Sequence, residues 1–365
     1  MVLNSNQRFI ELDGLRGLAA FSVFLSHFIG FYFESNNIKT LQSSPLRIFW
    51  NGDAAVNLFF VLSGFVLAIS FFRTNITFLQ YSIKRLFRIY PAYYFSIGFS
   101  LILMKFFIPN NLTELSFWAQ SFWKNKIKFS EIVDHLILIK HFNTHLINPV
   151  IWSLGIEIKM SLLIPFIALL YKKERAILFS LSILVVSWGL SLTIPFLFYL
   201  PQFVLGLLFA VHYGEINQHI NRFNKLKFFI FSLLFVFLYG NRFLLPEIAE
   251  YSEWLTTVLA GFGSIGLIII SIKVKKIKTI LSSKLGKFLG ETSYSFYLLH
   301  LPLLLITFSF TFLVFHSAIY CGILALIITY ALSYFIYKTV EIKMISIGNT
   351  ISKKRLMTKR IFKFL

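Results

Sequence analysis

The chain has 365 residues, 57% hydrophobic, 18% aromatic and 14% charged, with a mean hydropathy of +0.75. Soluble domains carry about a quarter charged residues, so this composition excludes one and requires a chain that spends most of its length in lipid. The formal net charge of +20 does not mark a nucleic-acid binder, because the basic residues are spread among the turns between apolar runs, where they record orientation.

Those runs predict an all-α polytopic membrane protein, a bundle of about ten transmembrane helices. The expected spans are 9–31, 53–72, 86–108, 151–170, 176–194, 195–213, 226–245, 254–272, 288–313 and 319–338. The runs are continuous and not alternating, which excludes a β-barrel. Alternate turns are rich in Lys and Arg: Arg73, Lys84, Arg85 and Arg88, then Lys172, Lys173 and Arg175, then Arg222, Lys225 and Lys227, then six lysines within 273–287. That asymmetry predicts both termini in the cytoplasm. One membrane domain is expected over 1–345, followed by a basic cytoplasmic tail over 346–365 lying on anionic lipid.

The first span carries polar residues that lipid solubility does not require. At about 100° per residue, Asp13, Arg16, Gly17, Ala20 and His27 share one face. Asp13 and Arg16 lie near the inner boundary and can be read as a helix end or a buried network. His27 lies on the order of 20 Å in and needs a partner or a cavity. An imidazole there can serve as base, nucleophile or proton shuttle.

Arg85 and Arg88, one turn apart in "KRLFRIYPAYY", form a fork suited to phosphate, though basic residues at an inner helix end are also what orientation demands. In the long connection before the fourth span, His135, His141 and His145 have a spacing compatible with metal, but no cysteine or carboxylate completes a ligand set. No metal is assigned. The fourth span places Glu157 two turns in, with Ser153 one turn before it. That carboxylate can orient a histidine, bind a hydroxyl or pair with Lys159. In the ninth span Ser293, Tyr297 and His300 share a face, with His300 about 18 Å from the inner boundary. Cys321, alone in an apolar run, is read as a packing residue.

These motifs together resemble the integral-membrane acyltransferase family 3, bacterial proteins that O-acylate carbohydrates. The resemblance spans nearly the whole chain: Arg8 and "LDGLRGLAA" running to His27, "NLFFVLSGFVL" at 57–67, "KRLFRIYPAYY" at 84–94, "WSLGIE" at 152–157, "SYSFYLLHLPL" at 293–303, and Glu341. It implies His27 as the catalytic residue and Arg85 and Arg88 as the element that engages the acyl donor; Glu157 matches a further motif position and is expected, from its place in the fourth span, to assist the protonation state of His27. Arg8, Asp13 and Arg16 match further motif positions, and Ser153, Tyr297 and His300 are expected as substrate contacts or structural support. Departures at Asn57, at Ile158 to Met160 and after Glu341 bear on acceptor identity more than on reaction class.

The resemblance implies acyl-CoA, chiefly acetyl-CoA, as co-substrate and no bound prosthetic group. The expected partners are a saccharide or lipid-linked glycan acceptor and membrane lipid, with no nucleic acid, in the bacterial cytoplasmic membrane. Two chemical routes stay open: direct attack of a hydroxyl that His27 deprotonates, or an acyl-imidazole intermediate on His27. A transporter or flippase for a glycolipid is the alternative class, for which paired inverted repeats are the signature.

Overall fold

A computed structural model describes residues 9–32, 44–73, 77–108, 115–124, 127–138 and 143–361. Most of the described residues are helical, with no strand among them. The long helices are α1 (Ile10–Tyr32), α2 (Gly52–Arg73), α3 (Phe78–Met104), α4 (Trp152–Leu170), α5 (Ala176–Leu190), α6 (Leu200–Asn221), α7 (Lys225–Tyr239), α8 (Glu253–Lys273), α9 (Lys284–Phe315), α10 (Ala318–Ile336) and α11 (Ile342–Ile361). α10 runs through a π turn, Tyr337–Glu341, into α11. The helical segment thus extends well beyond the expected tenth span at 319–338.

Among the described residues, eight helices are long and apolar enough to cross a membrane. The expected spans at 176–194 and 226–245 correspond to α5 and α7, each 15 residues, or about 22 Å of helix against about 30 Å of hydrocarbon. α5 stops ahead of Pro195, and α7 stops at Gly240. Large apolar side chains face outward in helical register, such as Ile319, Ile323 and Ile327 on α10, as a lipid-facing surface requires. The chain is an all-α polytopic membrane protein.

Contacts divide the chain into two compact units. The first comprises α1 up to Ser26, α2, α4 from Ile156, α5 to α8, and the start of α9. Within it α2 packs backbone against backbone on α6. A Cβ at Gly64 would lie 2.1 Å from Phe203 O, and one at Gly206 would lie 2.1 Å from Val61 O, so only glycine permits this approach. Buried amides complete the unit by donating to backbone carbonyls: Gln202 Nε2 to Thr257 O at 3.0 Å, Asn241 Nδ2 to Thr256 O at 3.0 Å, and Asn51 Nδ2 to Tyr239 O at 3.2 Å. In lipid such carbonyls have no water to turn to.

The second unit comprises the last turns of α1, α3, the connection up to Gly155, α9 from Thr292, α10 and α11. α3 begins at a capping box in which Thr77 and Gln80 satisfy each other's backbone amides, sparing a helix end its unpaired donors. Gln80 Nε2 also donates to Ser352 O of α11 at 3.0 Å. The connection is bound to α3 by Tyr93, whose hydroxyl donates to His135 O, and by Tyr94, whose hydroxyl donates to Leu136 O at 3.1 Å. Trp123 holds a left-handed φ of 55°, unusual for a bulky residue. Its indole Nε1 donates to Ile147 O at 2.9 Å.

Candidate active site

The second unit brings His27 and His300 together. α1 ends just past His27, and its last carbonyls are taken up by Ser116, whose amide donates to Phe31 O at 2.8 Å and whose hydroxyl donates to Gly30 O at 2.6 Å. These are the orphan acceptors of a helix C-terminus. The Trp118 ring then lies beside the His27 imidazole, with centroids 5.4 Å apart.

On α9, Pro302 has no amide to offer the carbonyl four residues earlier, Leu298 O. Asn148 supplies the missing donor, its Nδ2 lying 2.8 Å from that oxygen. The same loop is tied to α9 by Tyr297, whose hydroxyl donates to Val150 O at 3.2 Å and lies 2.8 Å from Ser153 Oγ. His300 is fully buried between these contacts. Its Nδ1 is 2.7 Å from Tyr297 O and 3.3 Å from Phe296 O, and its Nε2 is 2.8 Å from His27 Nδ1. The two imidazoles are nearly parallel, 8° apart in tilt, while His27 itself is only half-buried.

Arg85 and Arg88 lie one turn apart on α3, the first half-buried and the second exposed. Glu341, buried at the end of the π turn, accepts from Ser295 Oγ and feels the charge of Arg88. In the first unit Glu157 Oε1 accepts from Ser63 Oγ at 3.3 Å, and Asp13 pairs with Arg16 at 3.1 Å. The Lys159 ammonium sits over the Phe196 ring. Gly17 serves packing, since a Cβ there would meet Leu289 at 2.5 Å. Arg8 and His141 lie outside the described residues. His135 is buried, its Nδ1 donating to Glu131 O at 2.6 Å, and its burial pushes the imidazole pKa below the ordinary 6.5. His145 is exposed. Among the described residues no set of His, Cys, Asp and Glu is arranged to hold a metal.

In the second unit Asn148 and Trp118 were not singled out in the sequence; in the first unit the same holds for Ser63 and for Glu11, a buried carboxylate on α1 paired with Lys278 at 3.2 Å. Asn148 had a signal. A proline within an apolar span leaves one carbonyl in need of a donor, and a polar residue beside a neighbouring span is where to look.

A pair of imidazoles within hydrogen-bonding reach can take up and release protons, and the comparisons with known proteins bear on the chain that carries it. The family profile described as an acyltransferase domain matches residues 9–338. The chain belongs to this acyltransferase family. The acyltransferase is 28% identical over 297 residues to a protein named as an acetyltransferase, ORF330 of Acidianus two-tailed virus, covering 79% of this chain and 81% of that one. It is 25% identical over 367 residues to the O-acetyltransferase OatA of Staphylococcus aureus strain NCTC 8325 / PS 47, covering 90% of this chain and 56% of OatA. The acyltransferase therefore spans about half of OatA's length. No solved structure matches it. His27, Arg85, Arg88, Ser153, Glu157, Tyr297 and His300 all fall within the matched residues.

Proposed function

We propose that this acyltransferase moves an acyl group, acetyl in the first instance, from acyl-CoA to a hydroxyl of a saccharide or glycolipid in the bacterial cytoplasmic membrane. The observation that carries the proposal is the His27–His300 pair, joined at 2.8 Å in a chain of this family. The name of OatA supports an O-acetyl product, and the lysine-rich alternate turns support cytoplasmic termini.

In this reading Arg85 and Arg88 hold the donor's phosphates through paired, permanently charged guanidinium donors. His27 takes the proton of the acceptor hydroxyl as its oxygen attacks the thioester carbonyl. The C–S bond breaks, the proton passes to the departing thiolate, and the products are an O-acyl ester and CoA. Glu157, which accepts from Ser63, is a candidate to bind a hydroxyl of the acceptor.

The test is mass spectrometry of surface glycans from cells carrying the wild type, an empty vector or His27→Ala, with insertion of the variant verified. An alkali-labile acyl mass seen only with the wild type is the expected result. Acylation equal in all three for every glycan overturns the reading. Loss of exported glycan with His27→Ala, and no change in acylation, would assign transport instead.

A further inference from the structure

The hydrogen bonds around His300 fix where protons sit on both rings. Tyr297 O and Phe296 O are carbonyl oxygens and only accept, so His300 Nδ1, 2.7 Å and 3.3 Å from them, carries a hydrogen. A neutral His300 then presents an unprotonated Nε2. The 2.8 Å contact of that atom with His27 Nδ1 is a hydrogen bond only if His27 Nδ1 donates. A neutral His27 so arranged has its lone pair on Nε2.

We propose that His300 is a positioning residue that locks His27 in the Nδ1–H tautomer, making Nε2 the atom that takes the acceptor's proton or the acyl group. The inference rests on the acyl-transfer reading and names the atom within it. Its logic is that of a triad orienter, with a neutral imidazole where a carboxylate would otherwise stand. A neutral orienter suits this place, because an uncompensated carboxylate beside α9 would be costly in lipid. When His27 Nε2 gains a proton, the Nδ1–H bond to His300 becomes charge-assisted and strengthens. His300 passes no proton onward, since its own Nδ1–H is spent on a carbonyl. The proton therefore leaves by the atom through which it came, toward the departing thiolate.

The ring of His300 is held for this task. Phe296 lies parallel to it with centroids 6.1 Å apart, Tyr330 stacks on Phe296 at 4.3 Å, and Asn148 fixes the backbone two residues earlier.

Two measurements test the assignment. Solid-state NMR of full-length, 15N-histidine-labelled protein in nanodiscs, with His27→Ala used to assign the signal, is expected to show a pyrrole-type Nδ1 and a pyridine-type Nε2 on His27. The reverse pattern overturns the proposal. In acyl transfer by the purified protein, His300→Leu is expected to lower kcat by about 10²-fold to 10⁴-fold with KM little changed. His300→Gln, whose Oε1 can accept from Nδ1–H, is expected to regain about tenfold or more of that loss. Equal loss in the two variants, or a loss confined to KM, overturns it. Should the purified protein transfer no acyl group from any thioester donor, the functional reading falls, while the tautomer spectrum still decides this assignment.

Discussion

Where α2 meets α6 in the first unit, Gly64 and Gly206 let backbone lie on backbone, and a carbonyl occupies the space a side chain would need. Where α1 meets α9 in the second unit, His27 and His300 stand between the helices and bond to one another. Both contacts lie in spans that water does not reach freely, so neither can leave a polar group unpaired without cost. The glycine contact responds to added volume and is indifferent to protonation. The histidine contact tolerates its own volume and responds to which nitrogen carries hydrogen. One junction holds helices together, and the other keeps a lone pair available, which is why only the second is a candidate for chemistry.

The largest expected effect breaks the first contact. Gly206→Val puts a Cβ 2.1 Å from Val61 O, where backbone has to move. The cost is about 3 kcal/mol or more, the upper end for overpacking. Most folded protein should be lost, read by size-exclusion chromatography and thermal unfolding in detergent. A wild-type melting temperature would show that α2 and α6 are not in backbone contact.

The next effect sharpens the second contact. Asn148→Ala withdraws the donor that serves Leu298 O, at a cost of about 1–3 kcal/mol for a carbonyl left unpaired. Adding Pro302→Ala restores a main-chain amide within reach of the same oxygen. The double variant should recover about 1 kcal/mol over Asn148→Ala alone, a coupling read from a thermal double-mutant cycle. Strict additivity would show that the two residues do not serve one carbonyl.

The smallest expected effect is a pH dependence in the connection. Burial holds the His135 imidazole pKa below 6.5, so the unfolded chain takes up a proton that the folded segment refuses. Stability there is full above about pH 6.5 and declines as pH falls through it, by at most about 1.4 kcal/mol per pH unit. Hydrogen exchange across 127–138 at successive pH values should show that slope, and His135→Gln should remove it. An unchanged slope in the variant would place the titration elsewhere.

Membrane class was legible from residues because apolar run length sets span position, and His27 and His300 stood out as imidazoles within apolar runs whose height follows from helical rise. Their pairing was not legible. Rise gives height along each helix and says nothing of which helix faces which, and the two histidines are 273 residues apart in the chain. Glu157 was read as able to orient a histidine, bind a hydroxyl or pair with Lys159, and in the structure its Oε1 accepts from the Ser63 hydroxyl within the first unit. Runs at 176–194 and 226–245 read as spans on hydropathy alone, and the helices formed there are 15 residues each, α5 stopping at Leu190 ahead of a separate 3-10 turn that begins at Pro195, and α7 stopping at Gly240. Asn148, outside every expected span, carries its role through a proline more than 150 positions away, a relation that no local pattern encodes.

The π turn at Tyr337–Glu341 has a genetic consequence. Such a turn accommodates one residue more than a regular helix would, and each residue advances the helix about 100°. Glu341 docks on Ser295 at the turn, and Ser352 O meets Gln80 beyond it. Because the wide turn itself absorbs that residue, an in-frame deletion of one codon between 337 and 340 would return the helix to regular α geometry and leave Ser352 facing Gln80, whereas a one-codon deletion in the regular helix between 342 and 351 would swing Ser352 about 100° around the axis. The turn thus marks the place where this helix can lose one residue without turning α11 away from α3.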